Sequence, residues 1–530
     1  MFETGEFGAK IVEMPSRRFL VVPVMVTVVF TFAVPRRGYS VPAGRPCDLN
    51  GDGYEELVVG APMERIASVD SGIIHVVNGS SSGLTIEGNQ IWHRGVSGVA
   101  GAHAEDAFGS SLACGNFNND AFGDLAVGAP GDAFGELEDA GSVHIFYGSA
   151  SGITADDDQI WTQGSPGIPG AAEQQDRFGY SLAAGDYNGD SYADLAISSS
   201  EAVGVNEYAG AVHIVYGSQG GLSSAGSNMF TQDSPGILGF AEPNDAFGRA
   251  LGAADLNGDE IDDLAIGAPN EAIGIIEFAG AVHILYGTDA GLASFGNAVL
   301  HQNTVGVLGQ AEDQDGFGQS VAAGDFDGDG FGDIVVGVAN EDLGSTADAG
   351  MAAVLYGSPA GISTVDDQAW TQDSQGVAGA AEQNDNFGWS VAAADFNGDG
   401  LIDAAIGGRE AVGSILGAGA VNVLLGTENG IGSNGNEIWH QDTQGILGQA
   451  ESNDNLGYYL GTGDFNGDAK MDLAATARRE AIGLVPFAGA VNVIYGSPTG
   501  LVVVGNQIWH QGLLEAPEEA DLFGTLAGSP

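Results

Sequence analysis

The sequence predicts an all-β fold: a seven-bladed β-propeller of four-stranded antiparallel blades, its ring closed by the C-terminal segment. Three observations carry that expectation. A nine-residue acidic phrase recurs seven times at intervals of 68 to 70 residues, and a fixed period of this length marks an array of supersecondary units. Each unit holds four short apolar runs separated by Gly, Ser, Asp and Asn, the chemistry of strands and turns, with almost no helical periodicity. The final stretch, "DLFGTLAGSP", repeats the Phe-Gly phrase that opens six of the units in full or variant form.

The acidic phrase places Asp, Glu or Asn at positions 1, 3, 5 and 9. It reads "DLNGDGYEE" with Asp48, Asn50, Asp52 and Glu56, then "NFNNDAFGD" with Asn116, Asn118, Asp120 and Asp124. Next come "DYNGDSYAD" (Asp186, Asn188, Asp190, Asp194) and "DLNGDEIDD" (Asp255, Asn257, Asp259, Asp263). The series ends with "DFDGDGFGD" (Asp325, Asp327, Asp329, Asp333), "DFNGDGLID" (Asp395, Asn397, Asp399, Asp403) and "DFNGDAKMD" (Asp464, Asn466, Asp468, Asp472). Carboxylates this close repel unless a cation offsets them, and an oxygen-only ligand set suits Ca²⁺. An EF-hand would place a bidentate Glu at position 12 and enter a helix. Position 12 of the fifth phrase is Val336, inside the β-branched run "DIVVG". The expectation is a calcium hairpin between two strands, with up to seven Ca²⁺, one per blade. A single DxNxDG phrase also forms a metal-free Asx-turn; seven that keep an acid at position 9 favour metal. Ligand charge ranks loop 5 tightest and loop 2 weakest.

Within the third unit, "FGYSLAAG" leads into the loop, "DLAIS" leaves it, and "AVHIVYG" and "NMFTQ" follow as third and outer strands. Phe108-Gly109, Phe178-Gly179, Phe247-Gly248, Phe317-Gly318, Phe387-Gly388 and the variant Leu456-Gly457 precede six loops. The first loop is preceded instead by "YSVPAGRPC", whose prolines suit no inner strand. Phe523-Gly524 at the C-terminus is expected to supply the missing strand of blade 1.

The Phe-Gly phrase, the DxNxDxxxD loop and "GAP" at Gly60-Ala61-Pro62, Gly128-Ala129-Pro130 and Gly267-Ala268-Pro269 together resemble the FG-GAP repeat of integrin α-chain propellers. The resemblance covers about residues 45–530. It implies calcium hairpins on one face and a partner on the opposite face, where loops join second and third strands. Apolar residues in those loops, Ile276, Phe278, Leu416 and Phe487, are candidate contacts. The function expected is a secreted or cell-surface, protein-binding or adhesion module. The alternatives are a calcium-dependent glycan-binding lectin and the non-catalytic propeller of an extracellular enzyme system. One ring uses nearly the whole chain, so no catalytic domain or enzyme activity is expected.

Residues 1–44 read as a signal peptide or N-terminal leader, with Arg17-Arg18 before the apolar run "FLVVPVMVTVVFTFAV". No membrane span is expected after its removal. The net charge is −57. Seven Ca²⁺ would leave about −43, which argues against nucleic-acid and anionic-membrane partners. Cys47 and Cys114 are expected to be buried free thiols, since inner strands of adjacent blades lie too far apart for a bridge. His75, His144, His213 and His283 recur one per blade and cannot converge on one ion; they read as structural. The tryptophans of the "QIW" phrase and its variants (Trp92, Trp161, Trp370, Trp439, Trp509) read as outer-strand packing rather than sugar platforms.

Overall fold

The computed structural model describes residues 45–66, 69–94, 106–514 and 523–526. The leader expected at 1–44 lies outside the described residues. Seven four-stranded antiparallel sheets form the ring. Blade 4 is typical: inner strand Leu251–Ala254, second Asp263–Ala268, third Ala281–Tyr286 and outer Ala293–Leu300. Second and third strands are buried along almost their whole length, because neighbouring blades cover both faces. That is why they read as unbroken apolar runs rather than alternating ones. Inner strands such as "LAAG", "LGAA" and "SVAAA" are rich in small residues. They converge on an axial cavity of about 220 Å³ lined by six blades, from Leu112 round to Thr462; bulkier side chains would not fit there.

The outer strand of blade 3 begins at Ser223, five residues before the apolar run that marked it in sequence. Its first half is polar and exposed, and a register shift between Ile214 and Tyr216 accommodates Gly226. Such a half-strand carries no hydrophobic signal.

The C-terminal segment closes the ring. Thr525–Leu526 pair with the second strand of blade 1, Val59 opposite Leu526 and Gly60 opposite Thr525. Phe523 is fully buried, and its N–H donates to Ala488 of blade 7 at 3.2 Å. Every Phe-Gly phrase docks this way: Phe178 on Ala140, Phe247 on Ala209, Phe317 on Ala279 and Phe387 on Ala349. A second ring of bonds runs through the acidic loops. The position-8 N–H of each blade donates to the position-1 carbonyl of the blade before it. Gly123 bonds Asp48, Ala193 bonds Asn116, Asp262 bonds Asp186 and Gly332 bonds Asp255; Glu55 of blade 1 bonds back to Asp464 of blade 7. The glycine of "GAP" is steric: a Cβ on Gly60 would lie 2.1 Å from the Gly109 carbonyl.

The cysteines overturn the free-thiol expectation. Cys47 and Cys114 form a disulfide with Cα atoms 5.3 Å apart. The spacing argument failed because Cys47 is not on an inner strand. The tail takes that place in blade 1, which leaves the turn at Arg45–Cys47 to pack beside blade 2.

Two outcomes follow. Phe523→Ala should destabilise by about 3–5 kcal/mol, as loss of a buried aromatic does, and unfolding in denaturant should report it. Reduction of the disulfide, which spans 67 residues, should cost about 4 kcal/mol on the chain-entropy account, read as a lower melting temperature in reductant.

Candidate metal centres

Each acidic loop is organised around its ninth residue. One carboxylate oxygen accepts the position-2 N–H; the other accepts the N–H of a glycine at, or just past, the end of the third strand. For Asp333 these bonds come from Phe326 at 2.8 Å and Gly357 at 2.7 Å. Asp194 takes Tyr187 and Gly217, Asp403 takes Phe396 and Gly426, and Asp472 takes Phe465 and Gly496. One side chain thus ties two turns of the blade together. The position-1 carboxylate accepts the N–H groups inside the loop: Asp325 takes Gly328 at 2.7 Å and Gly330 at 3.0 Å. Gly328 and Gly330 both adopt positive φ to present them.

Ionised, these carboxylates face one another at a desolvated site. Burial pushes Asp194, Asp263, Asp333, Asp403, Asp472 and Glu56 up to about 8, and Asp124 to about 7; the neighbouring loop carboxylates add to the rise. Backbone N–H bonds offset part of it. In loop 5, Asp325, Asp327 and Asp333 each place one oxygen within 4.8 Å of the others. The donor set is all oxygen, no basic side chain among the described residues pairs with it, and it fits a hard divalent cation.

The seven loops are not equal. In loop 2, Asn118 donates to Asp120 at 3.0 Å and Asn116 donates to the Asp120 carbonyl, so amides supply part of the compensation. In loop 7, Arg45 pairs with Asp464 at 2.8 Å, and the Lys470 ammonium lies 3.6 Å from Asp468. Arg45 was missed in the sequence reading; it sits in the irregular turn before blade 1, more than four hundred residues from its partner.

The remaining motifs have structural roles. His144, His213 and His283 are fully buried, each edge-on to the Phe-Gly phenylalanine of its own blade at 5.1–5.4 Å. Burial pulls His213 and His283 down to about 4, so they are neutral. Trp439 and Trp509 are buried, and Trp92 packs on Phe146. On the face opposite the acidic loops, six blades end their second-to-third-strand loops in a four-residue hairpin, such as Ile273–Ile276. The bridge turns Ile276 partly inward and leaves Ile275 97% exposed at the tip. Phe278, Leu416 and Phe487 are exposed as expected.

A further feature was missed in the sequence reading although its glutamine is periodic: Gln163, Gln232, Gln302, Gln372, Gln441 and Gln511 recur every 69 or 70 residues. A buried glutamine at each outer-strand end donates to a Glu of the next blade: Gln163 to Glu201, Gln232 to Glu271, Gln302 to Glu341, Gln441 to Glu480, and Gln511 back to Glu64. Between blades 1 and 2 the pair is ionic: Arg94 bonds Asp132 at 2.5 Å and Asp106 at 3.2 Å.

Known proteins agree with this architecture. The FG-GAP repeat family matches residues 41–77, 108–146, 178–215, 247–285 and 317–355. Phosphatidylinositol-glycan-specific phospholipase D of Mus musculus is 34% identical over 191 residues, 35% of this chain and 21% of that protein. Integrin alpha-3 of Cricetulus griseus is 33% identical over 156 residues, 29% of this chain and 13% of that protein. Integrin alpha-8 of Mus musculus is 31% identical over 237 residues, 44% of this chain and 19% of that protein. The chain thus spans about a fifth or less of these relatives' lengths. It is an FG-GAP-repeat β-propeller that resembles the N-terminal propeller of integrin α-chains.

Proposed function

We propose that the chain is an extracytoplasmic, calcium-loaded propeller that binds a protein partner through the face opposite its metal loops. In an antiparallel blade, first-to-second and third-to-fourth turns share one end; second-to-third and fourth-to-next turns share the other. The observation that carries the reading is on that second face. Val205, Ile275 and Leu484 crown hairpin tips at 93%, 97% and 101% exposure. Phe240 and Val305, in the loops between blades, join Val205 and Ile275 across consecutive blades 3 to 5. Apolar side chains grouped on one face of so acidic a chain suit a partner with an apolar contact surface. The disulfide supports an oxidising compartment. Ca²⁺ would be held by the carboxylates and amides at positions 1, 3, 5 and 9, and would stabilise the ring by binding the folded form.

The test is capture of extracellular protein in calcium by wild type and by a Val205→Asp, Ile275→Asp double variant. Capture should fall at least ~10-fold in the variant, the scale of 1.4 kcal/mol, with the melting temperature unchanged. Equal capture would reject this face.

Metal content is a separate measurement. Equilibrium dialysis should give up to seven Ca²⁺ per chain, loop 2 emptying first and loop 5 last. Asp333→Asn should remove one ion and lower the melting temperature.

The pH dependence follows from the raised carboxyl groups. Between about pH 4 and pH 8 the folded, metal-free ring holds protons that the unfolded chain has released. Its stability should therefore fall as pH rises through that window. Calcium keeps the position-9 carboxylates ionised in the fold, so it should remove their share of the fall. The share of Glu201, Glu271, Glu341, Glu410 and Glu480, each pushed up to about 7 mainly by burial, should remain. Melting curves at pH 5 and pH 8, with calcium and with chelator, read both; parallel profiles would mean that the loops hold no cation.

A further inference from the structure

Positive charge is scarce in this chain, and it is concentrated. Arg177, Arg249, Arg409, Arg478 and Arg479 make up five of the nine basic residues in the described segments. All five stand in Phe-Gly phrases or at the ends of second strands, on the face opposite the acidic loops. Aromatic residues accompany them: Arg249 lies over Tyr180 at 5.1 Å, and Arg478 over Tyr458 at 4.7 Å.

Between blades 3 and 4 this face holds a cavity of about 210 Å³. Its wall includes Arg177, Arg249, Tyr180, Tyr208, Asn244 and the serines at 198–200. No lining residue is acidic, although the chain has 71 Asp and Glu. Neither guanidinium forms an ion pair or a hydrogen bond with a protein acceptor among the described residues. Arg249 is partly buried, and that burial pulls its pKa down. A desolvated charge without a counter-charge is costly. The ring does not require it: the equivalent residue is Ser110, Tyr180, Gln319, Trp389 or Tyr458 in other blades.

We propose that this cavity binds a carboxylate-bearing sugar, a uronic acid residue, with Arg249 and Arg177 on its carboxylate. A guanidinium forks onto a carboxylate through two parallel N–H bonds. The rest of the wall decides between a sugar and an acidic peptide. The Ser200 hydroxyl and the Asn244 side-chain amide have no protein partner among the described residues, and both can pair with ligand hydroxyls. The aromatic ring of Tyr208 adds flat apolar surface for a sugar's C–H face. An Asp or Glu side chain would engage the arginines and leave the neutral groups idle.

The test is saturation-transfer NMR and calorimetry on the full, calcium-loaded chain. The probes are D-galacturonate, D-glucuronate, D-galactose and an acetylated Gly-Glu-Gly peptide. The uronates should bind and galactose should not. Arg249→Gln should weaken uronate binding at least ~10-fold, as loss of a charge-assisted bond does. Arg479→Gln, outside the cavity, should leave it unchanged. Arg177→Gln and Asn244→Ala serve as second variants should Arg249→Gln fail to fold, and each should weaken binding. Equal binding of galactose and galacturonate overturns the proposal. So does undiminished uronate affinity in the cavity variants, absence of uronate binding, or peptide binding as tight as the uronate's. The Val205 and Ile275 substitutions should not alter uronate affinity, so failure of the partner face and failure of this cavity are read separately.

Discussion

The structure depends on one buried carboxylate per blade, the acid at position 9 of the acidic loop. Its two oxygens accept N–H groups from two different turns, and without it those donors would be buried unpaired, at roughly 1–3 kcal/mol each. The acid is the polar keystone of a blade whose second and third strands are otherwise largely apolar. Yet the same burial makes its ionised form unfavourable. A proton relieves it there or, under the proposed function, a cation shared with the carboxylates and amides at positions 1, 3 and 5 does. On that reading fold and metal chemistry are two consequences of one desolvated side chain.

The blades would gain little from this if the ring could open. Closure is made by three concentric sets of inter-blade bonds. Near the axis the Phe-Gly N–H docks on the preceding blade, and beneath it the position-8 N–H meets the position-1 carbonyl. Farther out the glutamine–glutamate pairs link outer strand to next blade. Each set passes through the joint between blades 7 and 1, where Phe523, Glu55 and Gln511 take their turns. The joint adjoining blade 1 on its other side is reinforced twice more, by the Cys47–Cys114 bridge and by the Arg94–Asp132 pair. The extra restraints flank the one blade assembled from both ends of the chain, whose inner strand has only two paired residues.

Much of this was legible in the sequence because a repeat displays its own constraints. The period gave the blade count, and the tail's Phe-Gly phrase gave closure. In loop 5 the acids at positions 1, 3 and 9 (Asp325, Asp327, Asp333) did come within 4.8 Å of one another, while Asp329 at position 5 stands outside that group. What was not legible was non-local. The Cys47–Cys114 bridge depended on Cys47 being displaced from the inner strand by a segment almost five hundred residues away. Arg45 reaches Asp464 for the same reason. Ile275 and Ile276 cannot be told apart by composition; only the four-residue hairpin decides which faces water. The glutamine–glutamate ring did leave a signal, since both residues recur at the repeat period; what the period does not tell is that they are buried and pair across blades.

The two faces of the ring now have distinct physical characters. One face holds the acidic loops, rigid through keystone carboxylates and able to gather cations. The other combines exposed apolar tips, aromatic rings and most of the described segments' few arginines. Charge separation of this kind orients an approaching anionic group toward the second face, since the acidic face repels it. A platform tied by its keystone carboxylates, and stiffened further by cations under the proposed function, would lose little conformational freedom when its opposite loops engage a ligand, which favours affinity without further contacts. On that reading stiffness on one side and recognition on the other are complementary, and the keystone acid connects them through the strands that run between.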